Sequence, residues 1–233
     1  MGWHEAVDLA FDAIFPCSCW ACGRRAPVGD RAVWCEGCGV AVEWAPAASP
    51  LEGCGATAGL FVYAGAVADA IAAAKGQGQA LALGPISKEW RRCVAELARS
   101  CSARVVCAVP PEQSRLAQRG WHLPDLLARR SGMPVAVALD RLDHAAPRRI
   151  ERSHAPQFRA RPGRGRVLLI DDVVTTGETL CQAALALQKC GWAVAGAAVL
   201  ADARPASVAA VLTLAPETLD TRRDLRRGAV SRP

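Results

Sequence analysis

Two adjacent aspartates followed by a threonine-rich loop are the residues of this sequence best suited to chemistry. Asp171 and Asp172 directly follow the apolar run 167–170, and a Thr-Thr-Gly-Glu-Thr segment occupies 175–179. Hydroxyls, a glycine that permits close approach and the free amides of a helix N-terminus together suit a phosphate group. The carboxylates would repel an anionic ligand unless they accept hydrogen bonds from sugar hydroxyls or engage a divalent cation held by the ligand. A phosphorylated sugar satisfies both requirements.

Single members of this set have a purely structural explanation. Asp172 or Thr175 could be only a helix cap, and Asp171 only a surface charge. Two acids together with three hydroxyls and a glycine exceed what a cap requires, so we favour ligand binding. We refer to Asp171 and Asp172 as the acid pair and to residues 175–179 as the phosphate loop. The predicted binding residues are Asp171, Asp172, Val173, Val174, Thr175, Thr176, Gly177, Glu178 and Thr179.

The elements around this segment are predicted to alternate between strands and helices. Short apolar runs predict strands at 59–63, 103–109, 167–170 and 194–200. Spacing and breaker residues predict helices at 5–15, 67–75, 86–99, 124–130 and 178–189. Residues 140–166 are arginine-rich without periodicity and predict an exposed or mobile stretch. The alternation predicts an α/β fold, a parallel sheet flanked by helices, with the acid pair at the carboxyl edge where ligands bind.

Cysteines predict a metal site near the start of the sequence. Four of the 11 form two Cys-x-x-Cys knuckles, Cys19/Cys22 and Cys35/Cys38, separated by twelve residues, enough for a β-hairpin. Four thiolates at this spacing suit a structural Zn²⁺ with a closed coordination sphere and therefore no catalytic position. Cys17 and Cys54 could substitute for a ligand or extend the site. We expect Cys93, Cys101, Cys107, Cys181 and Cys190 to be small core or helix residues.

Composition and charge narrow the class of protein. The 233 residues carry a formal net charge of +6. The odd number of cysteines and the absence of a signal-peptide pattern oppose a secreted disulfide scaffold, and the stretch 192–201 is too short to span a membrane. We therefore expect a cytoplasmic protein without membrane insertion. The predicted organisation is a zinc-binding module and linker at 1–57, with the linker over 45–57, a catalytic or binding domain at 58–214, and a basic tail at 215–233.

The segment 166–180 resembles the phosphoribosyl pyrophosphate (PRPP) signature of type I phosphoribosyltransferases. Over residues 15–203 the chain resembles the ComF family, bacterial proteins linked to competence and DNA uptake, which have an N-terminal zinc module and a phosphoribosyltransferase-like domain. A second anchor is the segment 109–122, a Val-Pro strand end followed by basic residues and Arg-Gly-Trp-His. A third is Lys75-Gly76, where the family tends to have a lysine closing a helix.

The resemblance implies roles for these residues. Asp171 and Asp172 would be the catalytic pair and would contact the ribose 2- and 3-hydroxyls, with or without Mg²⁺. Residues of the phosphate loop would hold the 5-phosphate. The residues implied near pyrophosphate are Lys75, Arg115, Arg119 and Gly120. The sequence departs from the family at His122, where an asparagine is usual, and over 142–161, where Arg152, Gln157 and Phe158 are remnants of the family's Gln and Arg-x-x-Asn pattern.

Three functions remain open from the sequence. The first is a transferase that moves ribose 5-phosphate from PRPP, with Mg²⁺, to a nucleophile. The second is a protein that binds PRPP or a nucleotide as a sensor without chemistry, since a fold does not fix a function. The third is an interaction protein of the competence apparatus that contacts single-stranded DNA or a helicase. The arginine-rich region has few aromatic residues, so no stacking platform for single strands is evident.

Overall fold

The computed structural model describes residues 18–24, 34–45, 48–77, 86–113, 116–117, 120–142 and 157–204. Within these ranges the strands are β1 (Ser49–Leu51), β2 (Gly55–Val62), β3 (Val105–Ala108), β4 (Leu139–Leu142), β5 (Gln157–Ala160), β6 (Gly165–Val174) and β7 (Trp192–Asp202). The helices are α1 (Glu36–Gly39), α2 (Gly65–Gln77), α3 (Ser87–Ser100), α4 (Leu123–Arg130) and α5 (Glu178–Lys189). The predicted helix at 5–15 and the predicted hairpin between the knuckles lie outside the described residues.

The central sheet has five strands in the order β1-β2-β7-β6-β3. β2, β7, β6 and β3 run parallel, and only β1 is antiparallel to its neighbour. The predicted α/β fold with a parallel sheet is therefore confirmed. β6 lies between β7 and β3. β3 pairs with it only as far as Ile170, so among the described strands only β7 flanks the acid pair that follows.

Both faces of the sheet are covered, and the alternation of β6 shows why. Leu168 and Ile170 belong to one apolar cluster, with residues of α2, α3 and α4, whereas Val167 and Leu169 belong to the other, with α5. All four side chains are fully buried. Period-two alternation places successive residues on opposite faces, so a strand covered on both sides needs a continuous apolar run. That run was the strongest strand signal in the sequence.

Two stretches differ from the sequence-based expectation. Residues 49–51 and 55–57, predicted as part of a linker, form β1 and the start of β2. Of the residues that indicated a linker, Pro50 belongs to the edge strand β1, Gly53 to the turn after it and Gly55 to the start of β2, and an edge strand and its turn tolerate both residue types. Residues 139–142 and 157–160, within or next to the predicted exposed stretch, pair as an antiparallel hairpin that packs against α5. Each strand has four residues, too few to reveal alternation among the arginines.

The cysteine knuckles pack directly on the sheet. Trp34, next to Cys35, makes an edge-on ring contact with Phe61 of β2 at a centroid distance of 6.2 Å. Trp20, between Cys19 and Cys22, contacts Trp34 at 5.6 Å. Trp44 pairs with Phe61 as an isolated antiparallel bridge, with ring centroids 5.0 Å apart. Because Phe61 is fully buried, these tryptophans join the cysteine knuckles to the core of the sheet.

Candidate functional site

The acid pair lies at the carboxyl end of β6, as predicted from its position after the apolar run. Asp171 is 9% exposed, and its Oδ1 accepts a hydrogen bond of 2.8 Å from the backbone N–H of Asp172. Burial, and then the charge of Asp172, raise the pKa of Asp171 to about 8, although the Asp172 amide, Lys75 and Arg141 oppose the rise. The pair therefore holds a proton near neutral pH, which limits its net negative charge.

Lys75 is the cation that meets this pair. It lies in the last turn of α2, and its Nζ is 2.8 Å from Oδ2 of Asp172, with the two side chains 35% and 17% exposed. Nearly a hundred residues separate the two groups in sequence. The fold brings them together because α2 and β6 contribute to the same apolar cluster on one face of the sheet. The site thus has a positive group beside the acid pair before any ligand enters.

The phosphate loop joins β6 to α5 and lines a depression. Lining residues are Asp171, Val173, Val174, Thr175, Thr176, Gly177, Glu178, Thr179 and Leu180. The first turn of a helix leaves backbone N–H groups without intrahelical acceptors. Thr176 Oγ1 accepts one of them, from Glu178, at 3.3 Å. Exposed hydroxyls, helix N-terminal amides and the positive end of the helix dipole together favour an anion at this position.

Gly177 is the one residue of the loop that no other amino acid could replace without strain. Its φ is +83°, in the left-handed region, where a side chain costs about 1–2 kcal/mol. A Cβ at this position would also lie 2.4 Å from Cδ1 of Leu51 in β1. The glycine therefore lets the chain turn sharply into α5 while the β1–β2 hairpin lies directly against the loop.

Other predicted site residues are placed less completely. Arg115 and Arg119 lie outside the described residues. Gly120 follows the loop that leaves β3, with φ +70°. That loop starts beside the acid pair, because Val109 N–H donates to the carbonyl of Ile170 at 2.9 Å. His122 lies at the start of α4, where its Nδ1 is 3.1 Å from Oδ2 of Asp125. This contact is local to the start of α4.

Two arginines near the site were missed in the sequence. Arg141 of β4 lies over the ring of Phe158 in β5, 5.8 Å from its centroid, and its charge acts on Asp171. Arg204, just after β7, forms a close ion pair with Asp202, with Nη2 2.6 Å from Oδ2. The signal that could have found Arg204 is its position, since it follows a predicted strand whose carboxyl end is at the same sheet edge as the acid pair.

The four knuckle cysteines form a second candidate site, the cysteine cluster. Their Sγ atoms all lie within 4.8 Å of one another, and this is the group of potential metal ligands found among the described residues. Sγ of Cys22 and Sγ of Cys35 are 3.7 Å apart, and a tetrahedral zinc with Zn–S bonds of about 2.3 Å requires about 3.8 Å. The cluster is therefore close enough to bind a metal such as zinc.

Acidity within the cluster also fits a cation. Burial opposes ionisation of Cys19, but backbone amides of Cys35, Cys22 and Ala21 outweigh it and lower the pKa of the thiol to about 6. Hydrogen bonds with Cys35 and Cys22 raise the pKa of Cys38 to about 12. Cys38 keeps its proton at neutral pH unless a cation replaces it, so metal binding and full deprotonation of the cluster go together.

The remaining cysteines do not join this cluster. Cys54 is buried in the turn between β1 and β2, where burial raises its pKa to about 12. Cys181 donates its thiol to the carbonyl of Glu52 at 2.8 Å. Cys54 is not among the four cysteines whose sulfurs lie close together, so it is no ligand of the cluster. Cys17 lies outside the described residues.

Comparison with known families points to the same sheet edge. The family model of the phosphoribosyl transferase domain matches residues 153–217. The matched part contains the acid pair and the phosphate loop, and it supports a phosphoribosyltransferase-like domain with a phosphoribosyl substrate such as PRPP. No curated protein gave a significant match to the chain. None of the described helices is long and apolar enough to cross a membrane.

Proposed function

We propose that the chain is a cytoplasmic member of the ComF family that binds PRPP and transfers its ribose 5-phosphate to a nucleophile. The observation that carries this proposal is the ion pair of Lys75 with Asp172 beside the phosphate loop. This pair and the loop bring three groups to one sheet edge: carboxyl oxygens that can contact sugar hydroxyls, a loop that can bind one phosphate, and an ammonium group that can bind the other phosphates. A simple helix cap would require none of the groups beyond the loop itself.

In this assignment each group has a separate task. The acid pair, Asp171 and Asp172, shares one proton near neutral pH and contacts the ribose 2- and 3-hydroxyls through its carboxyl oxygens. The hydroxyls of Thr175, Thr176 and Thr179, with the amides after Gly177, hold the 5-phosphate. Fixing both ends of the sugar orients its anomeric carbon, and positioning of this kind supplies much of the rate in a group transfer.

The transfer itself requires stabilisation of charge. A bond forms between the nucleophile and the anomeric carbon while the bond to pyrophosphate oxygen breaks, and pyrophosphate leaves with the electron pair. Lys75 is 35% exposed and can exchange Asp172 for a pyrophosphate oxygen. The family resemblance implies that Arg115, Arg119 and Gly120 would contact the same pyrophosphate. Preorganised positive charge at a leaving group lowers the barrier because no solvent has to reorganise.

Mg²⁺ fits the donors present at this edge. Asp172 offers hard carboxylate oxygens at the margin of the site, the ligand type that Mg²⁺ prefers. Because Lys75 already contacts Oδ2 of Asp172, we propose that the ion enters with the phosphates of the ligand. Bound there, Mg²⁺ supplies additional neutralisation of the pyrophosphate charge. In the cysteine cluster we propose a structural Zn²⁺ that holds the predicted module at 1–57 in front of the domain at 58–214.

A PRPP titration with and without Mg²⁺ tests this function, measured by calorimetry. We expect binding by the native protein and at least tenfold weaker binding by Asp171→Asn and Asp172→Asn. Asp140→Asn is the matched control, because this exposed aspartate lies in β4 and pairs with Arg161. No binding by the native protein, or equal binding by all variants, would overturn the proposal. Release of pyrophosphate with a panel of amine and base acceptors then distinguishes a transferase from a PRPP sensor.

The competence role makes a second candidate, a protein that contacts single-stranded DNA or a helicase. It rests on the resemblance to ComF proteins and on the net charge of +6, which by itself favours any polyanion. Salt-dependent binding of a fluorescent oligonucleotide, lost on removing the metal from the cysteine cluster, would favour this candidate. Pyrophosphate release without oligonucleotide binding would favour the transferase alone.

A further inference from the structure

A partly buried ion pair lies at the end of β7 and takes no part in the proposed binding of PRPP. Asp202 ends β7, and Arg204 follows it two residues later. The guanidinium donates from Nε to Oδ1 at 3.0 Å and from Nη2 to Oδ2 at 2.6 Å. Both side chains are only about 15% exposed, with Arg204 at 14%. Two parallel bonds of this kind fix the plane of the arginine.

Arg204 also reaches a second element. Its Nη1 donates to the carbonyl of Pro50 in β1 at 3.4 Å. β1 is an edge strand whose only partner among the described strands of the sheet is β2, so this bond ties the free side of the β1–β2 hairpin to the end of β7. The end of β7 is itself fixed to β6, since Ala203 N–H donates to the carbonyl of Val174 at 2.8 Å.

The hairpin in turn contacts the phosphate loop at two points. The side chain of Leu51 lies where a Cβ of Gly177 would be. One turn into α5, the thiol of Cys181 donates to the carbonyl of Glu52 at 2.8 Å. A continuous path of contacts therefore runs from Arg204 through the hairpin to both ends of the first turn of α5.

We propose that Arg204 is a positioning residue that holds the β1–β2 hairpin against the phosphate loop and so preorganises the loop for the 5-phosphate. The inference rests on the proposed function for the identity of the ligand, but not for the effect on the loop. Arg204 touches no ligand in this assignment. It acts through Pro50 and Leu51, and Asp202 serves to orient its guanidinium.

Hydrogen exchange of the ligand-free protein tests the effect on the loop directly. In Arg204→Lys the ammonium keeps the charge beside Asp202 but cannot also bridge to the carbonyl of Pro50. We expect the hydrogen-bonded amides that follow the loop, 181–184, the first of which donates from Cys181 to the carbonyl of Gly177 at 2.9 Å, to exchange about tenfold faster, the equivalent of one charge-assisted hydrogen bond. Exchange in α3 should be unchanged, which separates loosening of the loop from global destabilisation. Arg161→Lys, which alters an exposed arginine paired with Asp140, is the control and should leave the loop unchanged.

Binding of ribose 5-phosphate, measured by calorimetry, provides the second readout. Arg204→Lys should weaken binding about tenfold, and Leu51→Ala should do the same. Because both act through one hairpin, the double variant should lose less than the product of the two effects. Asp202→Asn, which keeps the arginine, should weaken binding less than Arg204→Lys and remains informative if the lysine variant fails to fold.

The two hypotheses fail in different ways. Unchanged exchange of amides 181–184 in Arg204→Lys, or fully multiplicative effects in the double variant, would overturn the positioning role. If the native protein binds neither ribose 5-phosphate nor PRPP, the proposed function is wrong, and the exchange experiment still decides whether Arg204 holds the loop. Faster exchange in both these amides and α3 would also contradict a positioning role, because it would show only lost stability.

Discussion

Replacing Asp171 with asparagine should stabilise the protein in a pH-dependent way. Asp171 is nearly buried, and burial followed by the charge of Asp172 raises its pKa to about 8, against about 3.9 for an aspartate in an unfolded chain. The native state therefore binds one proton more than the unfolded state between about pH 4 and pH 8. Stability attributable to this group falls as pH rises through that window and is constant above it.

The size of the effect follows from the linkage. One proton of difference changes the free energy of unfolding by about 1.4 kcal/mol per pH unit. Asparagine does not titrate, and its amide oxygen can still accept the bond from Asp172 N–H. Between pH 5 and pH 7 we expect the advantage of Asp171→Asn over the native protein to grow by about 1–3 kcal/mol. Near pH 4, where this window begins, the two proteins should be close in stability.

Urea unfolding at pH 5, 6, 7 and 8, under reducing conditions and without phosphate or divalent cations, measures this difference. Protonation of the cysteine cluster affects both proteins alike, so the difference isolates Asp171. Asp140→Asn, in an exposed ion pair, should change stability by less than about 1 kcal/mol. An advantage that is the same at all pH values, or larger at pH 5 than at pH 8, would refute the reasoning. If Asp171→Asn gains stability and loses PRPP binding, the carboxyl group of Asp171 lowers the stability of the protein but is needed for binding.

Three further predictions concern the loop, the cation and the metal. Gly177→Ala should lower the melting temperature and abolish ribose 5-phosphate binding, because it adds strain at positive φ and displaces Leu51. Gly132→Ala, with φ +78° but no neighbour closer than 3.7 Å, should show only the strain, and equal losses would contradict this explanation. Lys75→Met should weaken PRPP binding at least tenfold in calorimetry, whereas Lys88→Met on α3 should not. Cys38→Ser should reduce the amount of bound zinc, measured by a colorimetric chelator. It should also alter tryptophan fluorescence, because Trp34 and Trp20 pack beside the cluster. Cys190→Ser is the control, and an unchanged zinc content in Cys38→Ser would reject the assignment of four cysteine ligands.

The spacing of apolar residues predicted helices and strands well wherever consecutive residues of an element are buried. α5 begins and ends at the predicted residues, 178 and 189. A glycine precedes it, and its buried apolar residues recur three and four positions apart, which is the pattern of a helix with one buried face. β6 was recognised from four apolar residues but extends from 165 to 174. Both of its ends are held by pairing with β7, a long-range contact that composition cannot reveal.

Contacts between distant segments account for what the sequence left out. Lys75 was singled out only through a family resemblance, and nothing in its own helix indicates that it meets Asp172. Arg141 is one of many arginines, and only the fold distinguishes it from those at the surface. Arg204 could have been noticed from its position after a predicted strand, but its partners Asp202 and Pro50 follow only from the fold. Charge partners are set by which strand ends share an edge, so they become visible only when strand order is known.

The edge strands also alter the meaning of the boundary predicted near residue 57. Sequence composition changes there from cysteine-rich to apolar, yet β2 runs through the boundary and pairs with β7 on both sides of it. Phe61 receives Trp34 and Trp44 from the cysteine side, and Leu51 lies on the phosphate loop. A metal at the cluster would therefore fix the tryptophans that hold one end of the same β1–β2 hairpin whose other end shapes the loop. Removal of the metal should therefore weaken the binding of ribose 5-phosphate at the phosphate loop, even though no cysteine of the cluster belongs to that site.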